Sequence, residues 1–534
     1  GNALYQFENL TFGDSFSGHK HTLSGRYTNK NWMIWSNSSY MKSDATASES
    51  KFTRSQNRTS YKINKNWIGA TINMEDNSEK LKATNTFSGL SQRFTEYGAF
   101  IGRGDSTKVF VELGYLHRKN DSLQNNTIER VNTSNSYYLK SQLLRTEKTN
   151  LAVFINYRTL QYIDNIKENE PSLNSRILYT DRFFGQKLQL ATVYETSSGT
   201  IAQQEFTYIE VDPTQGTYMW NDYNGNGIQE LEEFEIAPYP DLAKYVRVYL
   251  PNQIFVRTHQ NKFSQTVNLN FSEWQKSNGI KKLVSHFYNQ TSYLIDRKNL
   301  RDVDNFNLNP FTNNDEDLVG MNLNFRNSLF FNRGKQHHST TFTYLTNESK
   351  NLLSVGSVSA FNQSHQFQYQ HLIQKSWLIN LFGNTTKTNS TSENYLSRNY
   401  EIKSYQIAPK IGYLFSKNAS WDVFYEFQNK ENQIGALETL VQSRLGTSFT
   451  LNSMKGFSMN GEFSYYKNTF TGNILAPVAF QMLEGLQPGK NQTWRLLLQK
   501  NLTDYLDVNV NYQGRNSETS KTIHTGNIQL RAFF

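Results

Sequence analysis

Apolar and polar residues alternate in short runs along much of this chain. In Leu506-Asp507-Val508-Asn509-Val510-Asn511-Tyr512 every even position is apolar and every odd one polar. Val319–Arg326 and Phe457–Tyr465 repeat the pattern, and Trp421, Val423, Tyr425 and Phe427 alternate with Asp422, Phe424, Glu426 and Gln428. Successive side chains on a strand point to opposite faces, so each run predicts a strand with one apolar and one mainly hydrophilic face. Soluble sandwiches share that alternation; the spacing of the breaks separates the two cases. Short polar breaks fall at 29–31, 64–66, 102–107, 146–150, 185–186, 278–279, 333–336, 374–376, 417–420, 455–456 and 502–504, most of them about 40 residues apart. Longer polar stretches lie between them, at 43–50, 120–126, 165–170, 384–398 and 515–521. Sandwiches turn every 8–12 residues without such asymmetry. Short turns on one side and long loops on the other are the outer-membrane pattern.

The fold class predicted is therefore all-β: a transmembrane antiparallel up-and-down β-barrel that closes on itself, with short periplasmic turns and long extracellular loops. Eleven turns joining two strands each, plus one strand at either end (Ala3–Asp14 and Thr522–Phe534), give about 24 strands, within a range of 22–26. An even count puts both termini on the periplasmic side. The whole chain, 1–534, reads as one barrel domain. Trp32, Trp67, Trp377 and Trp421 each follow a short turn, where an aromatic girdle is expected. The final run Ile528-Gln529-Leu530-Arg531-Ala532-Phe533-Phe534 resembles the C-terminal assembly signal of bacterial outer-membrane proteins.

Composition agrees. Only 37% of the residues are hydrophobic, yet 36 Phe, 31 Tyr and 8 Trp make 14% of them aromatic, against only 9 Pro. The mean hydropathy of −0.67 argues against helical spans, and the aromatics argue against disorder. The absence of cysteine excludes disulfide staples and cysteine-ligated metal. The net charge of +9 comes from scattered residues, so it points to anionic lipid head groups and not to nucleic acid. The chain begins at Gly1 without a leader, as a mature or trimmed piece would.

The regular spacing breaks once. Lys187–Pro213 reads as one long strand, Ile254–Trp274 as its return, and Thr214–Gln253 as an extracellular insertion. Within it, Asp222-Tyr223-Asn224-Gly225-Asn226-Gly227-Ile228-Gln229-Glu230-Leu231-Glu232-Glu233 has the spacing of a calcium loop. Ca²⁺ wants six to eight oxygens. Asp222, Asn224, Asn226 and Glu230 would supply side-chain oxygens, Ile228 its carbonyl, and Glu233 a closing bidentate carboxylate. Such a Ca²⁺ would be structural, stiffening the loop. A solvated acidic turn built on Asn-Gly explains the same letters. No nucleophile–base pair, H-E-x-x-H or phosphate loop is present and the ten histidines look scattered, so no enzyme is expected.

The stretch Gly216–Trp220 with Asp222–Glu235 and Tyr245–Val248, together with Leu486–Asn491 and Lys521–Phe534, resembles the C-terminal barrel of large Bacteroidota outer-membrane proteins. That resemblance implies a membrane and a phylum, not a substrate. So wide a barrel would leak if open, so its lumen is expected to be filled or gated, by inward loops, by preceding residues or by a partner. Three readings follow. One is a gated transport or translocation component of a larger outer-membrane complex, with surface lipoproteins or periplasmic components as partners. The others are a non-conducting scaffold that recruits partner proteins, and the barrel portion of a plug-bearing, energy-coupled nutrient transporter.

Overall fold

The computed structural model describes all residues except 106, 165–167, 204, 251–253, 302–305, 313–316, 336, 354–355, 454–455, 504 and 533–534. Its main sheet is antiparallel and follows chain order, each strand pairing with the one before and after it. One member, Thr86–Phe87, is a two-residue pairing with the end of Asn66–Leu81. The other twenty-four form an up-and-down wall from Asn2–Phe12 to Ile523–Ala532. The eleven predicted short turns mark the places on one rim where one paired strand gives way to the next, with 106, 336, 455 and 504 outside the described residues. With an even strand number, both chain ends lie on that rim too. Residues 533–534, the close of the C-terminal signal, lie outside the described residues.

The wall has two unlike faces. Trp32, Tyr61, Ile68, Ile101, Leu113, Leu139 and Ile155 stand opposite one another across successive strands. Tyr413, Trp421 and Phe449 form a similar row. Most of these side chains are exposed, Ile68 at 55%, Ile101 at 57% and Leu113 at 52%, while Tyr61, Leu139 and Tyr413 are half-buried. The other face carries ion pairs, Arg58 to Glu112 (2.7 Å), Lys410 to Asp422 (3.0 Å) and Arg444 to Glu426 (3.2 Å) and Glu462 (2.6 Å). Buried Ser134, Gln442, Ser464 and Asn468 share it. A water-soluble protein buries its apolar face; here that face is outermost. Each large apolar side chain moved from water into hydrocarbon gains about 1.5–3 kcal/mol, so lipid is the solvent this surface fits.

Several expectations need correction. The stretches 43–50 and 120–126 are not long loops. Trp32–Ala45 and Ser48–Ile63 run on to a two-residue turn, with Ser43 bonded to Ser50 at 2.6 Å. Phe110–Gln124 and Thr127–Arg145 meet at Asn125 and Asn126, whose φ of 45° and 65° suit a tight hairpin. The strands Trp377–Ser392 and Leu506–Ser517 likewise continue through residues read as loop. Polar composition hid these extensions, because a strand in water on both faces has no apolar alternation to show. Lys187–Pro213 is not one strand: Leu188–Gln203 belongs to the wall and Phe206–Glu210 to a second sheet. The break at 278–279 is wider than predicted, with a 3₁₀ turn Ser272–Lys276 and a short helix Ile280–Val284. Trp67 leaves the girdle: it faces the polar side, its indole donating to Glu112 at 2.9 Å.

The two outermost strands each have one paired neighbour among the described residues, and no ladder there joins them to each other. Leu4 (63%), Phe7 (54%), Ile528 (71%) and Leu530 (64%) mark these edges as exposed.

Candidate functional site: a lid over the mouth

The insertion springs from the eleventh and twelfth wall strands, Leu188–Gln203 and Ile254–Asn270, on the rim opposite the turns. It folds as a four-stranded antiparallel sheet in the order Phe206–Glu210, Tyr245–Tyr249, Tyr218–Trp220, Phe234–Ile236. Aromatic packing holds it: Tyr208 stacks on Phe234 at 4.0 Å, Tyr245 meets Phe234 edge-on, and Arg247 lies over Phe206, Tyr218 and Tyr249.

This small sheet is tied to the far side of the wall. Buried Glu235 accepts from Arg398 Nη2 (2.8 Å) and Gln481 Nε2 (3.2 Å). Asp241 takes both terminal nitrogens of Arg515, at 2.5 and 2.6 Å, and that guanidinium lies over Tyr239. Arg398 sits between strands seventeen and eighteen, and Arg515 is on strand twenty-three. Strands twelve and twenty-three stand about 50 Å apart along a flat sheet at the usual strand spacing, so the wall must curve to bring these rims together. Gln481 belongs to the helix Pro477–Leu483, which rests on the polar face over Ile402 and Leu440. Its Met482 carbonyl accepts from buried Lys430 at 2.9 Å. Gly485 follows at φ 81°, where an added Cβ would lie 2.4 Å from Pro238 of the insertion. Burial pushes the Glu235 carboxyl up against the opposing pull of Arg398, and pushes the Tyr239 hydroxyl up to about 12. A cleft of about 650 Å³ opens along the seam, with Trp220, Tyr223, Phe480, Leu486 and Arg515 in its walls.

The calcium-loop residues are brought together only in part. Asp222 accepts from the backbone N–H groups of Gly225 (2.7 Å), Asn226 (3.1 Å) and Gly227 (2.9 Å). Asn224 accepts from Asn226 N (2.9 Å) and Asn226 from Ile228 N (2.7 Å). Gly225 and Gly227, at φ 73° and 71°, make the sharp turns. The side-chain amides of Asn224 and Asn226 donate to Glu230, at 2.6 and 3.4 Å. Asp222, Asn224, Asn226 and Glu230 thus share one small loop, and Ile228 projects into water with its carbonyl beside them in sequence. Glu233 does not join them. It is 1% exposed, and its two oxygens accept from Trp220 Nε1 (2.7 Å) and Tyr223 N (3.0 Å). Among the described residues no three His, Asp or Glu side chains stand ready to hold a metal ion. The donors that fit Ca²⁺ are one carboxylate at each end of the loop and two Asn carbonyls between them.

Sequence reading missed the latch, Arg398, Gln481, Asp241 and Arg515, because nothing along the chain links residues more than a hundred positions apart. The one available signal was the family resemblance, whose quoted stretches 216–235 and 486–491 both border this seam.

No family model matches the chain, and no curated protein does. Solved structures similar to it include the ferric-catecholate import receptor Fiu from K12 E. coli, with a TM-score of 0.32 and 8% identity over 93% of this chain and 75% of that one. BauA, the ferric preacinetobactin receptor from Acinetobacter baumannii, scores 0.33 at 10% identity over 99% and 78%. The FrpB iron transporter from Neisseria meningitidis scores 0.33 at 11% identity over 91% and 77%. At such scores the likeness carries no argument about residues or activity; the fold rests on the strand ladder and its two faces.

Proposed function

We propose that this chain is a non-enzymatic outer-membrane barrel whose mouth is closed by its own insertion, a gated transport or translocation passage in a larger outer-membrane complex. The observation that carries this reading is the pair of ionic ties, Glu235 to Arg398 and Asp241 to Arg515, reaching from strands eleven and twelve to the opposite wall. A fixed cap has no need of polar fastenings, since an apolar seam of the same size would hold as well. Charged ties are the kind a ligand or partner can compete for. In this reading the lid faces outward, the eleven turns and both termini face the periplasm, and outer-membrane lipids cover the apolar face. Surface lipoproteins or periplasmic components are the expected partners. The phylum suggested by the resemblance, Bacteroidota, is part of the same proposal.

The test is conductance across a planar bilayer. The intact chain is expected to stay closed, and the variant Arg398→Ala/Arg515→Ala to open. Neither arginine is needed to build the wall, since the strand ladders on both sides of them are backbone. A variant that folds, inserts and still passes no current would overturn gating and leave the scaffold reading.

A further inference from the structure

On strands sixteen to nineteen the apolar face of the wall can be followed row by row from the turn rim upward. Trp377, Tyr413 and Trp421 pair across the strands near that rim. Ten positions further up the same strands stand Lys387, Lys403 and Glu431, with Gln363 beside Lys387. Ten residues climb about 33 Å along a strand, or about 25 Å of height at the usual tilt of about 40°, which is the height of a barrel's apolar band. The charged row therefore stands where hydrocarbon gives way to lipid head groups on the loop side. Below it the face changes in steps. His365, Thr385, Tyr405 and Asn429 form a row of rings and hydrogen-bonding groups. Phe367, Ile407 and Phe427 form the next, and Gly383 leaves a gap in it, where an added Cβ would meet nothing closer than 4.0 Å. A groove of about 440 Å³ runs through the two upper rows. We propose that this groove binds one glycolipid of the loop-side leaflet, its sugar head carrying a phosphate that lies between Lys387 and Lys403.

Lys387 and Lys403 are direct cross-strand partners, and like charges directly opposite one another destabilise a strand pair. Glu401, one row higher, takes Lys387 at 2.9 Å, whereas the Lys403 ammonium donates to the neutral Gln433 at 3.2 Å. A phosphate between the two ammonium groups turns that repulsion into charge-assisted hydrogen bonds. The rest of the lining is not cationic. Glu431 accepts from the Asn429 amide at 3.1 Å, and it would repel a head group that is anionic throughout. Glu431, Asn429 and Gln363 suit the hydroxyls of a sugar, and the exposed rings of His365 and Tyr405 suit its flat face. The row of Gly383 and exposed Ile407 continues the groove into the apolar band, where an acyl chain runs. A protein docked on the charged row would have to reach into hydrocarbon to cover these positions. Only the choice of leaflet rests on the orientation proposed above, and conductance tests that orientation separately.

Native mass spectrometry of the detergent-solubilised full chain, with diphosphoryl lipid A as the probe, tests the site. The wild type should retain one molecule, and Lys387→Ala/Lys403→Ala should retain it about tenfold less well or worse. Lipid A stripped of its phosphates should bind the wild type as weakly as the intact lipid binds that variant. Both lysines are on the outside of strands held by backbone ladders, and heat-modifiable gel migration checks that the variant is assembled. Equal retention by wild type and variant would overturn the proposal. So would an equal loss in Lys42→Ala/Lys51→Ala, another opposed pair on strands three and four, since charge alone would then explain binding. Displacement of the lipid by millimolar inorganic phosphate, or a second copy of the chain bound in its place, would also overturn it.

Discussion

Glu233 shows how a motif and a structure divide one letter between them. By spacing it is the closing ligand of a calcium loop. In the folded insertion it is a buried carboxylate held by the Trp220 indole and the Tyr223 backbone. No spacing rule contains Trp220, because the competition for Glu233 comes from a neighbouring strand. Pulling Glu233 into the loop would leave the indole N–H buried and unpaired, a cost of about 1–3 kcal/mol. Calcium bound here is therefore expected to rest on Asp222, Asn224, Asn226, Glu230 and the Ile228 carbonyl, with water completing the shell. Chelation should then speed proteolysis of the segment 222–230 in wild type while sparing the wall, and Glu230→Gln should show that fast cleavage with calcium present. Glu233→Ala should instead loosen the whole small sheet whether calcium is present or not. Cleavage insensitive to chelator in the wild type would remove the ion from the account.

At the scale of elements, the alternation and the eleven short turns were readable because lipid on one face and water on the other impose a period of two. The same rule failed wherever water meets both faces. Ser43–Ala45, Ser48–Ser50 and Asn384–Ser392 are almost wholly polar and still lie in strands, since their backbone ladders, not their side-chain pattern, hold them. The lid is legible as an interruption of the spacing, but its seat is not. The seat depends on Gly485, whose left-handed backbone lets the loop after Pro477–Leu483 pass beside Pro238 and Tyr239. Gly485→Ala adds a Cβ where Pro238 already stands and strains the backbone, so docking should weaken by about 1–3 kcal/mol. The expected readout is faster proteolysis within 212–249, with conductance rising as it does in the arginine variant. An alanine variant as protected as the wild type would mean that the lid does not rest on this loop.

For the molecule as a whole, the decisive question is how the wall ends. Asn2–Phe12 and Ile523–Ala532 each offer a row of unpaired N–H and C=O groups, and each such group left bare in hydrocarbon costs several kcal/mol. An edge about ten residues long cannot stay bare in a bilayer. The two strands run antiparallel, the first beginning and the last ending on the turn rim, so they can pair with one another. Matching their apolar sides restricts the register to steps of two residues, of which the one pairing both apolar couples is tested: Tyr5 and Phe7 share a face with Leu23 and His21, and Ile528 and Leu530 share one with Val510 and Val508. Aligning these apolar sides brings Tyr5 beside Leu530 and Phe7 beside Ile528, which places Gln6 opposite Gln529 on the inner face. The chain has no cysteine, so Gln6→Cys/Gln529→Cys gives a clean readout. Oxidised in membranes, this double variant should form a disulfide within one chain, seen as a mobility shift reversed by reductant. Gln6→Cys paired with Arg531→Cys, which the register places off line, should react far more slowly. Links only between chains, or none at all, would mean that other strands stand between the first and the last, and the circumference argued from twenty-four would have to grow.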